Sequence, residues 1–190
     1  MRALQSVVAC AALLLAGCDD KPAFHNVDIT GAQYARELAL TDHTGARRTL
    51  AEYRGKLVTV FFGFVQCPDV CPTTLQDMAE VRRRLGKDGD RLQVLFVTVD
   101  PERDTQNVLA QYLANFDPSF VALRGSPEET ANTAREFKII YEKVPGKTPT
   151  SYTINHSAGT YVFDREGRVR LFIRHASGVD AIVADLKRLL

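Results

Sequence analysis

The 190-residue sequence predicts one α/β domain, a mixed central β-sheet flanked by helices that closes on a β-hairpin and a last helix. Three observations predict it. Residues 57–64 (LVTVFFGF) and 92–99 (LQVLFVTV) are apolar, β-branched and aromatic runs, the pattern of strands buried on both faces. Each run is followed by a stretch of helical periodicity. Near the C-terminus, two short apolar runs flank Asp164-Arg165-Glu166-Gly167, a turn signal that calls for an antiparallel pair.

The elements follow in order. Residues 18–34 read as a flexible tether and 35–190 as the folded domain. After the strand at 57–64, residues 73–85 place Leu75, Met78, Ala79, Val81 and Leu85 on one helical face. The strand at 92–99 leads to a helix at 105–116, with Val108, Leu109, Tyr112, Leu113 and Phe116 in register. A short strand at 120–123 precedes a helix at 127–137, opened by Pro127 in its first turn. Lys143 to Pro149 (KVPGKTP) reads as a mobile loop. Strands at 160–163 and 169–173 form the hairpin, and 178–190 is an amphipathic helix. A parallel core of this order, with cysteines where the first buried strand ends, resembles a thioredoxin-like fold.

Composition removes several functions. With 24 Lys+Arg against 23 Asp+Glu, the chain lacks the basic excess of a nucleic-acid binder. A core of this size does not need disulfide staples, so the four cysteines are read by position. Arg2, the apolar run from Val7 to Leu15 and the small residues Ala16-Gly17 before Cys18 resemble a lipoprotein signal. The run is too short to span a bilayer as a helix, which takes ~20 residues. The resemblance implies that residues 1–17 are removed with Cys10 and that Cys18 is acylated, with the domain on the periplasmic face of a bacterial inner membrane. The remaining chain is formally neutral, so attachment is expected from the lipid rather than from a basic surface.

Cys67 and Cys71 stand four apart between a strand and a helix. Pro72 suits the first helical position, which would put Cys71 at the helix N-cap and expose two readily ionised thiols to the helix dipole. Two thiolates are an incomplete metal site, and there is no second Cys pair for a zinc ribbon. Among the histidines, His25, His43 and His175 read as surface residues. His156 reads equally as a ligand or as a structural histidine. Asp100 lies at a strand end where α/β folds gather their sites. Asp104 or Thr105 is expected to cap the next helix. Arg82-Arg83-Arg84 reads as a solvated helix face.

Three segments then align with a known family. C-P-D-V-C-P-T at 67–73, V-D-P-E-R-D-T at 99–105 and Y-T-I-N-H-S at 152–157 resemble, in order and spacing, the Sco/SenC copper chaperones. The resemblance implies one copper ion, Cu(I) or Cu(II), held by Cys67, Cys71 and His156, with Asp100 and Asn155 behind the ligands or at a docking face. Asn155 stands where the family often has Asp, and Val65 where it often has Thr. The implied partners are the copper-site subunit of a haem-copper oxidase, a copper donor protein and a thiol reductant; no nucleic acid is expected. The role is that of a carrier and not an enzyme. The alternative is a thiol–disulfide oxidoreductase working through Cys67 and Cys71. A peroxiredoxin-like activity is disfavoured because no Thr/Arg pair stands beside either cysteine.

Overall fold

The computed structural model describes residues 23–148 and 151–190. The leader and Cys18 lie outside the described residues. Among the described residues, the main sheet has eight strands in the order β1-β10-β9-β4-β5-β6-β2-β3. Its centre is β4 (Leu57–Gly63), parallel to β5 (Leu92–Thr98), which is parallel to β6 (Val121–Arg124). β9 (Gly159–Phe163) runs antiparallel to β4 and pairs with β10 (Val169–Arg174) through the expected turn. There Gly167 takes a left-handed φ of 79°, and Asp164 Oδ1 accepts the Glu166 and Arg168 amides at 3.1 and 2.9 Å.

Every residue of β4 and β5 is buried, as continuous apolar runs require. Alternation along β4 splits the core between the two sheet faces. Phe61 packs with Leu75 and Met78 of α1 (Val70–Arg84), Leu109 of α2 (Gln106–Leu113) and Leu186 of α4 (Val179–Leu189). Phe62 packs on the other face, with Phe137, which follows α3 (Pro127–Glu136), at a ring separation of 5.1 Å. α3 opens with a capping box between Ser126 and Glu129 and carries Pro127 in its first turn.

Four features depart from the sequence reading. Residues 23–34 are docked, not free. β1 (Val27–Asp28) pairs with β10, and buried Asp185 of α4 accepts the His25 and Asn26 amides at 2.9 and 2.8 Å and the Asn26 side chain at 2.8 Å. Three N–H donors to one carboxylate fasten this segment with no apolar periodicity that would announce it. Second, β2 (Ala39–Asp42) and β3 (Arg47–Thr49) form an edge hairpin, and β2 also pairs with β6. Third, α1 begins at Val70, three residues before the expected start. Pro72 is accommodated because first-turn amides need no helical partner. Fourth, Lys143 to Pro145, read as loop, belong to β7 (Tyr141–Pro145), which pairs with β8 (Tyr152–His156) in a separate two-stranded ribbon. That ribbon is held by backbone pairing, and its largely exposed residues give no apolar run to read.

Candidate functional site

β4 delivers the chain to the loop at 64–69, and α1 follows it directly, so Cys67 and Cys71 flank the start of the helix. β8 brings His156 to them from 85 residues away. The Cys71 Sγ lies 3.6 Å from His156 Nε2, and the ligand atoms of Cys67, Cys71 and His156 all fall within 4.8 Å of one another. Both cysteines are free thiols. His156 Nδ1 lies 3.1 Å from the Ser157 carbonyl. A carbonyl only accepts, so Nδ1 carries the proton and Nε2 turns a lone pair toward the sulfurs. Edges of Phe61 and Phe64 hold the ring, at centroid distances of 6.2 and 5.8 Å.

The two thiols differ, contrary to the expectation of a matched exposed pair. Cys71 is fully buried and lies inside the first helical turn, not at the cap, which is Asp69. Desolvation pushes its thiol well above the usual range, and its hydrogen bond with Cys67 acts in the same direction. Burial outweighs the helix dipole here. Cys67 is only half-buried, and its sulfur receives the Cys71 amide at 3.4 Å, so Cys67 is the sulfur that faces the helix N-terminus. Burial also lowers the His156 pKa, favouring the neutral ring. Gly63 makes room for the buried thiol: a Cβ there would lie 2.7 Å from Cys71 Sγ.

Asp100 and Arg103 join the segments that carry Cys67 and His156. Asp100 is buried, accepts the Arg103 Nε and takes the Tyr152 hydroxyl at 2.7 Å. Arg103 Nη1 donates to Gln66 Oε1 at 2.8 Å and to the Tyr152 carbonyl at 2.9 Å, and its guanidinium lies 3.6 Å from the Tyr152 ring centroid. One arginine therefore ties the residue before Cys67 to the strand that ends in His156. Asp104 does not cap α2; Thr105 does, accepting the Val108 amide at 3.3 Å. Asp104 is buried beneath the loop, where it accepts the Val65 amide at 3.1 Å and the Thr98 hydroxyl at 2.5 Å. Burial raises its carboxyl pKa. The sequence reading missed this role because Asp next to a helix start looks like a cap.

Tyr112 was likewise read only as an apolar helix position. Its hydroxyl is buried and has no hydrogen-bond partner among the described residues, and its side chain packs against the core cluster that includes Cys71.

Other candidates lie elsewhere. Asn155 is exposed, and strand alternation turns it to the opposite face from His156. His25 and His175 are exposed, as expected. His43 is half-buried and accepts the Ala122 amide at 3.1 Å, a structural role. Arg82, Arg83 and Arg84 are not a free face: they pair with Asp90, Glu80 and Asp180.

Two sulfurs and one imidazole nitrogen converging on one point suit Cu(I), for which thiolates select, and imidazole extends the set to Cu(II). The family profile described as SCO1/SenC matches residues 27–190. The mitochondrial SCO2 homolog of Mus musculus is 33% identical over 154 residues, which are 80% of this chain and 60% of that protein, so the chain spans less than two thirds of this relative's length. Two solved structures are similar as well. Bradyrhizobium japonicum ScoI with copper bound is 40% identical, with a TM-score of 0.75, covering 81% of this chain and 98% of that one. Apo Sco1 of Thermus thermophilus is 38% identical, with a TM-score of 0.79, covering 88% and 98%.

Proposed function

The chain belongs to the SCO1/SenC family, and we propose that it is a lipid-anchored copper carrier that binds one copper ion through Cys67, Cys71 and His156 and delivers it to the binuclear copper site of a haem-copper oxidase. The observation that carries the reading is the convergence of those three ligand atoms, from two separate segments, within 4.8 Å. The copper-bound relative and the donor chemistry support it. Cleavage before Cys18, acylation of that residue and a periplasmic location complete the proposal. Among the described residues, no helix is long and apolar enough to cross a membrane.

Each residue has a task. Cys67, partly open, meets incoming copper first. Cys71 and His156 close around it from the buried side. Asp104 and Arg103 hold the loop and the ribbon at fixed separation, so the ligands need little rearrangement to bind.

His156 separates this reading from the alternative, in which Cys67 and Cys71 pass two electrons and two protons to a partner disulfide, which becomes two thiols while they become a disulfide. That exchange needs no imidazole. A His156→Ala chain is expected to bind copper at least about tenfold more weakly, since losing a ligand should cost no less than losing a partner behind one, to lose the sulfur-to-copper absorption of its Cu(II) form, and to keep dithiol–disulfide exchange. Metal titration followed by absorption and mass is the measurement. Wild-type copper affinity in this variant would overturn the site. No copper binding by the intact reduced chain would favour the oxidoreductase.

The orphan hydroxyl of Tyr112 yields a second expectation. Tyr112→Phe should leave the copper-free chain as stable or slightly more stable, because an unsatisfied buried group is gone. Thermal melts of the copper-free chain test it, and a clearly lower midpoint for Tyr112→Phe would show that the hydroxyl is satisfied.

A further inference from the structure

We infer that the end of the domain opposite the thiols is a docking surface for anionic phospholipid headgroups. The chain is nearly neutral as a whole, yet its charge is unevenly placed. β4 starts at this end with Leu57 and reaches the site at Gly63, about 20 Å away. The turn before β4, the β9–β10 turn, the 3-10 segment Gly86–Arg91 and the end of α4 meet here. The Gly55 amide donates to the Arg165 carbonyl at 2.8 Å, while Arg91 and Arg165 both donate to a terminal oxygen of Leu190, at 3.1 and 3.3 Å.

The acidic side chains of this end are already neutralised: Asp88 pairs with Arg91, Asp90 with Arg82, and Glu166 with Arg168. Arg54, Lys56, Lys87 and Lys187 are exposed and have no carboxylate partner among the described residues. Arg188 donates to the Ala23 carbonyl, while Arg165 donates to the Gly55 carbonyl and to a terminal oxygen of Leu190. Five cations, Arg54, Lys56, Lys87, Lys187 and Arg188, thus have no carboxylate partner among the described residues of this end, where the terminal oxygen of Leu190 is taken by Arg91 and Arg165.

The tether leaves from the same end. Ala23 is held by Arg188 in the last turn of α4. Only four residues lie between it and Cys18, a reach of at most about 18 Å. The inference rests on the acylation of Cys18 proposed above. An acyl anchor with so short a leash keeps the cationic end at the bilayer, where each Lys or Arg near an anionic surface strengthens binding about fivefold. A lipid anchor with a basic patch is also the pairing that makes attachment stable. Docked in this way, the domain turns Cys67, Cys71 and His156 away from the membrane, toward a soluble acceptor domain. The overall neutrality that suggested no basic surface conceals one.

The test uses the full mature chain carrying its lipid, bound to vesicles of phosphatidylcholine alone or enriched in phosphatidylglycerol, with amide hydrogen exchange read by mass. Exchange at 54–56, 165–168 and 187–190 is expected to slow on the anionic vesicles only, and to recover at high salt. The Arg54→Gln, Lys56→Gln, Lys87→Gln triple variant should lower the docked-to-undocked ratio about 100-fold. Identical exchange on both vesicles by the acylated chain would overturn the inference, as would protection confined to the thiol end. The intact mass reports acylation separately. An unacylated chain that still shows anionic-vesicle protection would remove the anchor and keep the surface. An unacylated chain without it removes both.

Discussion

A Cys71→Ser chain should bind copper more than about 100-fold more weakly than the intact protein, a larger loss than that expected for any residue behind the ligands. Cys71 is the buried sulfur, 3.6 Å from His156 Nε2, and a serine hydroxyl offers Cu(I) a hard donor in place of a soft one. The same residue sets the pH dependence. Burial raises the Cys71 pKa, so the thiol is protonated in the copper-free chain at neutral pH. Binding as thiolate therefore releases its proton, and affinity should rise about tenfold per pH unit for each proton released. His156 contributes in the same sense but only in acid: its pKa is lowered by burial, so protons compete for Nε2 only below the ordinary histidine range. Competition against a Cu(I) chelator at several pH values measures the slope. A flat profile between neutral and mildly acidic pH would show that Cys71 does not bind as a thiolate released from its protonated form. The serine variant should show a shallower slope than the intact chain.

The parts of the fold legible in the sequence are those whose physics is local and repetitive. β4 and β5 announce themselves because strands buried on both faces leave no polar position, and α2 and α3 because periodicity and caps agree. The β9–β10 turn is carried by Asp164 and Gly167 alone. What escaped reading depends on contacts distant in sequence. β1 is two residues long and owes its place to Asp185, about 160 positions away. The β7–β8 ribbon pairs backbone to backbone and buries few side chains. At the site, the three motifs point to Cys67, Cys71 and His156, and those atoms do converge. The inequality of the two thiols was not legible, because it turns on where α1 begins. A start at Pro72 would expose Cys71; a start at Val70 turns it into the core. Arg103 was equally hidden, since its partners Gln66 and Tyr152 lie 37 and 49 residues away.

Gly63→Ala should damage both the fold and the site while leaving every ligand in place. The added Cβ would stand 2.7 Å from Cys71 Sγ, 2.8 Å from Phe96 Cε2 and 3.1 Å from Phe61 Cε1. None of these neighbours is a flexible surface chain: Phe61, Phe96 and Cys71 are all buried, and β4 is paired on both edges, with β5 and β9. Overpacking in such a place costs about 3 kcal/mol. Chemical denaturation should show it as a lower midpoint at unchanged slope. Relief comes most readily by moving the sulfur, because α1 starts just beyond the loop, whereas the phenyl rings are locked between strands and helices. Displacing Sγ from its place near His156 Nε2 weakens copper binding although Cys67, Cys71 and His156 remain. A double-mutant cycle distinguishes this route from general loosening. In a Cys71→Ala background, the sulfur clash is gone and only the contacts with Phe96 and Phe61 persist, so the stability cost of Gly63→Ala should shrink but not vanish. An unchanged cost would mean that the rings, not the thiol, meet the new methyl group. In that case the copper affinity of the single variant should stay at the wild-type value. Stability and metal affinity thus respond together only if the glycine exists to admit the buried sulfur, which is the role its contacts assign it.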